Sequence, residues 1–167
     1  TLAEAARQSG GDVAVFPELA LTGYPPEDLL MRKGFRRQVE EGIRQIVSGS
    51  GQAIVVFGAP CLREHQLFNA AVVCQQGKLL GEYYKHSLPN YAVFDEKRYF
   101  EPGGDPCVFE VNGVPVGITI CEDIWNDEMY WRERQMRRRY ERDPIEALGK
   151  QGFDVLINIA ASPFTDG

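Results

Sequence analysis

The chain has 167 residues, 44% hydrophobic and 25% charged, with a formal net charge of −6. Those proportions suit one packed domain and argue against global disorder. An acidic chain carries no overall basic field for nucleic acid or an anionic membrane, and no apolar run nears the roughly 20 residues that cross a bilayer.

Residues 1–9 carry a helical pattern that Gly10-Gly11 stops. Asp12–Phe16 is a short apolar run, predicted as a buried strand; Pro17 breaks it and leaves Glu18 at its carboxyl end. Leu19–Asp28 holds Gly23, Pro25 and Pro26 and is predicted as a loop. Phe35, Val39, Ile43, Ile46 and Val47 form one apolar stripe at helical spacing, ended by Gly49 and Gly51. Ala53–Phe57 is a second buried strand. Phe68–Cys74 and Leu79–Tyr84, joined at Gln76-Gly77, are predicted as a hairpin. Val108–Val111 and Val114–Ile120, joined at Asn112-Gly113, are predicted as another. Asp143-Pro144 supplies a cap and a first-turn proline for a helix to about Lys150, stopped by Gly152. Asp154–Ala160 is the last buried strand. Strands alternating with helices, with hairpins between, predict a single α/β domain with a mixed sheet.

Six arginines and three glutamates lie between Glu128 and Arg142, with Met129, Met136 and Tyr140 as a partial helical stripe. A solvated, charge-laced helix or loop is expected. A docking surface for another domain or subunit is the functional alternative, and nucleic-acid binding ranks third in so acidic a chain.

Cys61, Cys74, Cys107 and Cys121 show no spacing of a metal pair, so no metal site is expected. Three of them sit in or beside apolar strand-like runs, so buried thiols and a cytoplasmic location are expected. No signal peptide is expected. Thr1 enters directly into a helical pattern and Gly167 follows closely on an apolar strand, so a fragment is expected.

Glu18, Lys85 and Cys121 each follow a strand, and α/β sheets place sites at strand carboxyl ends. Each alone has an ordinary reading: a solvated turn residue for the first two, an inert buried thiol for the third. Together they form a set for attack on an amide. A carboxylate takes the thiol proton, a thiol attacks, and an ammonium steadies the oxyanion. The N–H of Glu122 offers a second oxyanion donor. Neither His65 nor His86 is expected to follow a strand that converges on Cys121, so a Cys–His dyad is the weaker alternative.

Three blocks, FPELALTGYPPEDLL (Phe16–Leu30), KHSLPNYAVFDEKRYFEPG (Lys85–Gly103) and GITICEDIW (Gly117–Trp125), resemble the motif blocks of the nitrilase superfamily of carbon–nitrogen hydrolases. In detail they are similar to the amidase domain of glutamine-dependent NAD synthetases. The resemblance implies a nitrilase-like α-β-β-α sandwich with mixed sheets, here incomplete at both ends, spanning 1–167 and lacking the synthetase domain. It implies Glu18 as general base, Lys85 as cationic partner and Cys121 as the nucleophile that forms a glutamyl thioester. Glu96 is implied as a second glutamate that orients Lys85 or the attacking water.

For L-glutamine the resemblance implies Tyr91 and Ser162, with Tyr24, Phe94 and Glu122 as further wall residues. Tyr91 and Phe94 have an alternative as plain core aromatics, and Ser162 as a turn residue. Relatives place a basic residue for the substrate carboxylate beyond the ASPF block. No cofactor is implied for the amidase step; ATP and Mg²⁺ are implied for the synthetase domain of the same polypeptide. A homo-oligomer is also implied. A stand-alone carbon–nitrogen hydrolase for another small amide, or a scaffold without catalysis, are the competing readings.

Overall fold

A computed structural model describes residues 2–126, 128–133 and 140–162. The first sheet has the order β1 (Val13–Val15), β2 (Ile54–Arg63), β3 (Gln66–Gln75) and β4 (Lys78–Tyr84). β1 runs parallel to β2, and the other neighbours are antiparallel. The second sheet has the order β5 (Cys107–Val111), β6 (Val114–Ile120) and β7 (Val155–Ile159), antiparallel and then parallel.

Alternation along the strands builds two layers of core. From β2, Val55, Phe57, Ala59 and Cys61 face one way, with Ala70, Val72 and Cys74 of β3. They pack with Ala6 of α1 (Leu2–Gln8) and Ile46 of α2 (Lys33–Ser48). Ile54 and Val56 face the other way, with Ala71 and Val73, and meet Val116, Ile118, Ile120 and Ile159 of the second sheet. Both faces of β2 and β3 are thus covered, which is why their sequence reads as nearly continuous apolar runs. On the outer face of the second sheet, Leu148 of α4 (Pro144–Gln151) is fully buried and lies over Gly117. The layers run helix, sheet, sheet, helix, the sandwich that the family resemblance implies; two mixed sheets stand where the run of elements predicts one.

The helix after Asp143-Pro144 forms as expected: the Asp143 carboxylate accepts the N–H groups of Ile145 and Glu146. The expected second strand is longer than its apolar run. It continues through Pro60 to Arg63 and turns at Glu64-His65 into β3, so a three-strand meander replaces the expected hairpin. Both turn residues have positive φ (47° and 70°), the twist that two-residue hairpin turns require. The expected loop after Leu19 contains a 3-10 turn, Glu27–Met31.

In the arginine-rich stretch, α3 covers Glu128–Glu133, and residues 134–139, with Met136, lie outside the described residues. Met129 on α3 is exposed, and Tyr140 lies in a bend. Its backbone N–H donates to Asn126, whose side-chain amide donates to the carbonyls of Tyr140 and Arg142. Pro163 and Phe164 of the ASPF block also lie outside the described residues. The four cysteines are free thiols. Among the described residues, no helix is long and apolar enough to cross a membrane, and no group of His, Cys, Asp and Glu is arranged to hold a metal ion.

Candidate active site

Glu18, Lys85 and Cys121 follow β1, β4 and β6, and the layers bring them to one end of the sandwich. Lys85 is 0% exposed and Glu18 2%, and Nζ sits 2.7 Å from Glu18 Oε1. The same Nζ lies 2.7 Å from Oε1 of Glu96, on the 3-10 turn Glu96–Arg98. Isolated ions at such depth would be strongly disfavoured, and mutual pairing is what holds them there.

Further donors complete both carboxylates. Glu18 Oε1 also accepts from Asn69 Nδ2 at 2.7 Å, and its Oε2 accepts the Ala161 N–H at 3.2 Å. Glu96 Oε1 accepts the Tyr24 hydroxyl at 2.9 Å, and Asn69 Nδ2 makes a long 3.5 Å contact to Oε2.

Two carboxylates share one ammonium, so the cluster carries a surplus negative charge. Burial would depress Lys85, but Glu18 and Glu96 outweigh it and keep the ammonium above its ordinary value. Glu96 is pushed up by burial against the pull of Lys85, with Glu18 adding to the rise. Tyr24, raised by burial and by Glu96, remains a neutral donor.

Cys121 begins a 3-10 turn, Cys121–Trp125, and has a φ of 47°. That left-handed conformation disfavours a residue with a Cβ by roughly 1–2 kcal/mol, and such strain persists only where the surroundings enforce it. Burial pushes its thiol to about 11, Glu18 and Glu96 push the same way, and Lys85 and a hydrogen bond from the Ser162 hydroxyl pull it down. The resting sulfur is therefore protonated at neutral pH. Iodoacetamide, followed by peptide mass spectrometry, is expected to label Cys121 slowly at pH 7 and faster as pH rises toward 11. Labelling that saturates below the ordinary 9.0 would show a resting thiolate instead.

The other expected residues gather nearby. Tyr91 donates to both oxygens of the buried Glu122, at 3.0 and 2.9 Å, and Tyr140 donates to its Oε1 at 3.3 Å. Phe94 lies edge-on to Tyr91, with ring centres 5.5 Å apart, and faces Tyr24 at 6.2 Å. A cavity of about 280 Å³ opens beside Tyr24 and Glu96; Lys85 and Cys121 are not among its walls. It flanks the charged cluster rather than the sulfur.

Sequence reasoning does not mark Asn69 or Tyr140 as site residues. Asn69 is a single polar residue in the apolar run of β3, and that interruption was the available signal. The expectation for His86 needs correction. It does follow a strand that converges on Cys121, one residue after Lys85, but its ring is hydrogen-bonded to the Gly103 carbonyl. Gly103 must be glycine: a Cβ there would lie 2.0 Å from the Tyr84 carbonyl oxygen. Its N–H caps the Lys85 carbonyl at 2.9 Å.

The carbon–nitrogen hydrolase family profile matches residues 1–138. The chain belongs to the carbon–nitrogen hydrolase family. Among its relatives, a glutamine-dependent NAD(+) synthetase of Xylella fastidiosa is 50% identical over 130 residues, which are 76% of this chain and 24% of that protein. One from Xanthomonas campestris is 46% identical over 168 residues, covering 99% of this chain and 28% of the relative. The solved glutamine-dependent NAD+ synthetase of Acinetobacter baumannii superposes with a TM-score of 0.81 at 35% identity, over 98% of this chain and 28% of that one. This hydrolase chain thus spans about a quarter of the length of the relatives it matches.

Proposed function

We propose that this carbon–nitrogen hydrolase is the glutaminase part of a glutamine-dependent NAD synthetase, releasing ammonia from L-glutamine at Cys121. The reading rests above all on the buried Glu18–Lys85–Glu96 network beside a cysteine held at positive φ.

The chemistry follows from the charges. As the Cys121 sulfur attacks the carboxamide carbon, Glu18 takes the thiol proton, so no free thiolate accumulates. The Lys85 ammonium donates to the carbonyl oxygen as it becomes negative, and the N–H of Glu122, in the first turn of its 3-10 segment, adds a second donor. Collapse breaks the carbon–nitrogen bond, and Glu18 returns the proton to the departing nitrogen. Ammonia leaves a glutamyl thioester. Water then attacks that carbon, Glu18 takes its proton, and the sulfur departs and is reprotonated. The sum is glutamine plus water giving glutamate plus ammonia.

Glu96 fixes Lys85 as its second carboxylate partner beside Glu18. For the substrate, Glu122, fastened by Tyr91 and Tyr140, faces the α-ammonium. Tyr24 and Phe94 wall the aliphatic stem, and Ser162 steadies the sulfur. A synthetase domain of the same polypeptide uses the ammonia to amidate nicotinate adenine dinucleotide, with ATP and Mg²⁺ serving that step.

The test is Cys121→Ala in the full-length protein. NAD formation from glutamine is expected to vanish while formation from added ammonium salt continues. Continued glutamine cleavage by the variant would exclude Cys121 as nucleophile. A wild-type protein that ignores glutamine but hydrolyses other small amides would replace the substrate assignment.

A further inference from the structure

Asp123, two residues beyond Cys121, is 0% exposed. Its Oδ1 accepts the backbone N–H groups of His86 at 3.1 Å and Ser87 at 2.7 Å. Its Oδ2 accepts the Ile120 N–H at 3.1 Å and the Tyr83 hydroxyl at 2.8 Å. A carboxylate is acceptor-only with about four lone-pair sites, so four converging donors saturate it.

Those donors bracket the two reacting groups. Tyr83, His86 and Ser87 surround Lys85 where β4 leaves the four-stranded sheet. Ile120 precedes Cys121 where β6 leaves the three-stranded sheet. Among the described residues no ladder joins the two sheets, so the offset between ammonium and sulfur depends on packing and on side-chain bridges of this kind.

We propose that Asp123 is a positioning residue that sets the separation between the Lys85 ammonium and the Cys121 sulfur by tying together the ends of β4 and β6. The proposal rests on the reading of Cys121 as nucleophile and Lys85 as its cationic partner. Asp123 acts through these neighbours, because its own oxygens are filled by protein donors. The groups that bear on the sulfur include Glu18 after β1, Tyr24 in the loop beyond it, Lys85 after β4, Glu96 on its 3-10 turn and Ser162 after β7. Of these, Lys85 is the cation, and three of the donors to Asp123, those of Tyr83, His86 and Ser87, hold its strand end. A slack bridge lets the ammonium retreat, and the thiol then loses a proton less readily.

The test is Asp123→Asn in the full-length protein. Asparagine keeps the shape but has one acceptor oxygen. With that oxygen on His86 and Ser87, its NH₂ opposes the Ile120 N–H and frees the Cys121 side. The pH midpoint of iodoacetamide labelling of Cys121 is expected to rise above the wild-type value. The kcat for glutamine hydrolysis is expected to fall on the order of 100-fold, the usual consequence of roughly 1 Å of misplacement, with KM nearly constant. Tyr83→Phe, which removes one donor, is expected to move both in the same direction by less.

An Asp123→Asn protein with wild-type midpoint and kcat overturns the proposal, even if it melts earlier. Should Asp123→Asn not fold, Tyr83→Phe decides, and unchanged values there overturn it too. Labelling needs no glutamine, so the two ideas fail separately. A shifted midpoint in a protein without glutaminase activity sinks the substrate reading alone. Glutamine cleavage that requires Cys121, with an unshifted midpoint in the variants, sinks the bridge alone.

Discussion

Lys85→Met is expected to reduce glutamine hydrolysis by about a thousandfold or more and to remove about 3–5 kcal/mol of stability at neutral pH. Both effects have one origin. Lys85 is fully buried, and its ammonium is bonded to Glu18 and Glu96 at 2.7 Å each. Methionine fills similar volume but leaves two buried carboxylates close together, with Asn69, Tyr24 and the Ala161 N–H as their donors among the described residues. The stability loss should therefore depend on pH in a definite direction. Glu96 is already raised above its ordinary 4.5 by burial, against Lys85. A group raised in the folded state contributes stability that is complete below its unfolded value and disappears as pH rises through its folded value. Losing the ammonium raises Glu96 further and extends that window upward. Urea denaturation at pH 5 and pH 8 should show the variant's deficit shrinking at the lower pH. Adding Glu96→Gln should recover stability without recovering activity. A deficit equal at both pH values would mean that lost packing, not unpaired charge, is the cause.

The legible part of the molecule was the part set by local rules. Asn112-Gly113 and Gln76-Gly77 announce their turns because glycine accepts positive φ, and both turns form. Glu64-His65 makes the same kind of turn with two residues that give no such signal. Pro60 lies inside β2, where a proline is a poor signal of a continuing strand. Positions of Glu18, Lys85 and Cys121 were legible because each ends an apolar run. What surrounds them was not. Asn69 is 51 residues from Glu18, and Asp123 lies 36 residues beyond Ser87. Such contacts arise from how sheets stack, and no periodicity within one segment encodes them. The left-handed backbone of Cys121 was equally hidden, since nothing in ITICED marks a strained residue.

Gly58→Ala is expected to lower glutamine hydrolysis by two or more orders of magnitude, although residue 58 touches no reacting atom. The reason is how the chain passes after β1. The turn bearing Glu18 crosses directly over β2, where the Gly58 N–H donates to the Pro17 carbonyl at 3.1 Å and the Gly58 carbonyl accepts from Leu21 at 3.2 Å. A Cβ on residue 58 would lie 2.2 Å from the Leu19 nitrogen and 2.6 Å from both the Glu18 Cα and the Pro17 oxygen. All three are backbone atoms, so no side-chain rotation relieves the overlap. Either β2 bends or the turn lifts. Because β2 is clamped between β1 and β3 with both faces in the core, the turn is the part that gives. Lifting it carries Glu18 away from Lys85 and Asn69, and misplacing a base by roughly 1 Å can cost about 100-fold in rate. Lys85 would then keep Glu96 as its remaining carboxylate partner in the cluster. Gly34→Ala is the matched control: Gly34 is exposed in α2 with nothing within 4 Å of the added carbon, and stability there should hold or rise by up to about 1 kcal/mol. If Gly58→Ala keeps wild-type kcat, the turn can shift without moving Glu18. The close crossing would then matter for folding alone.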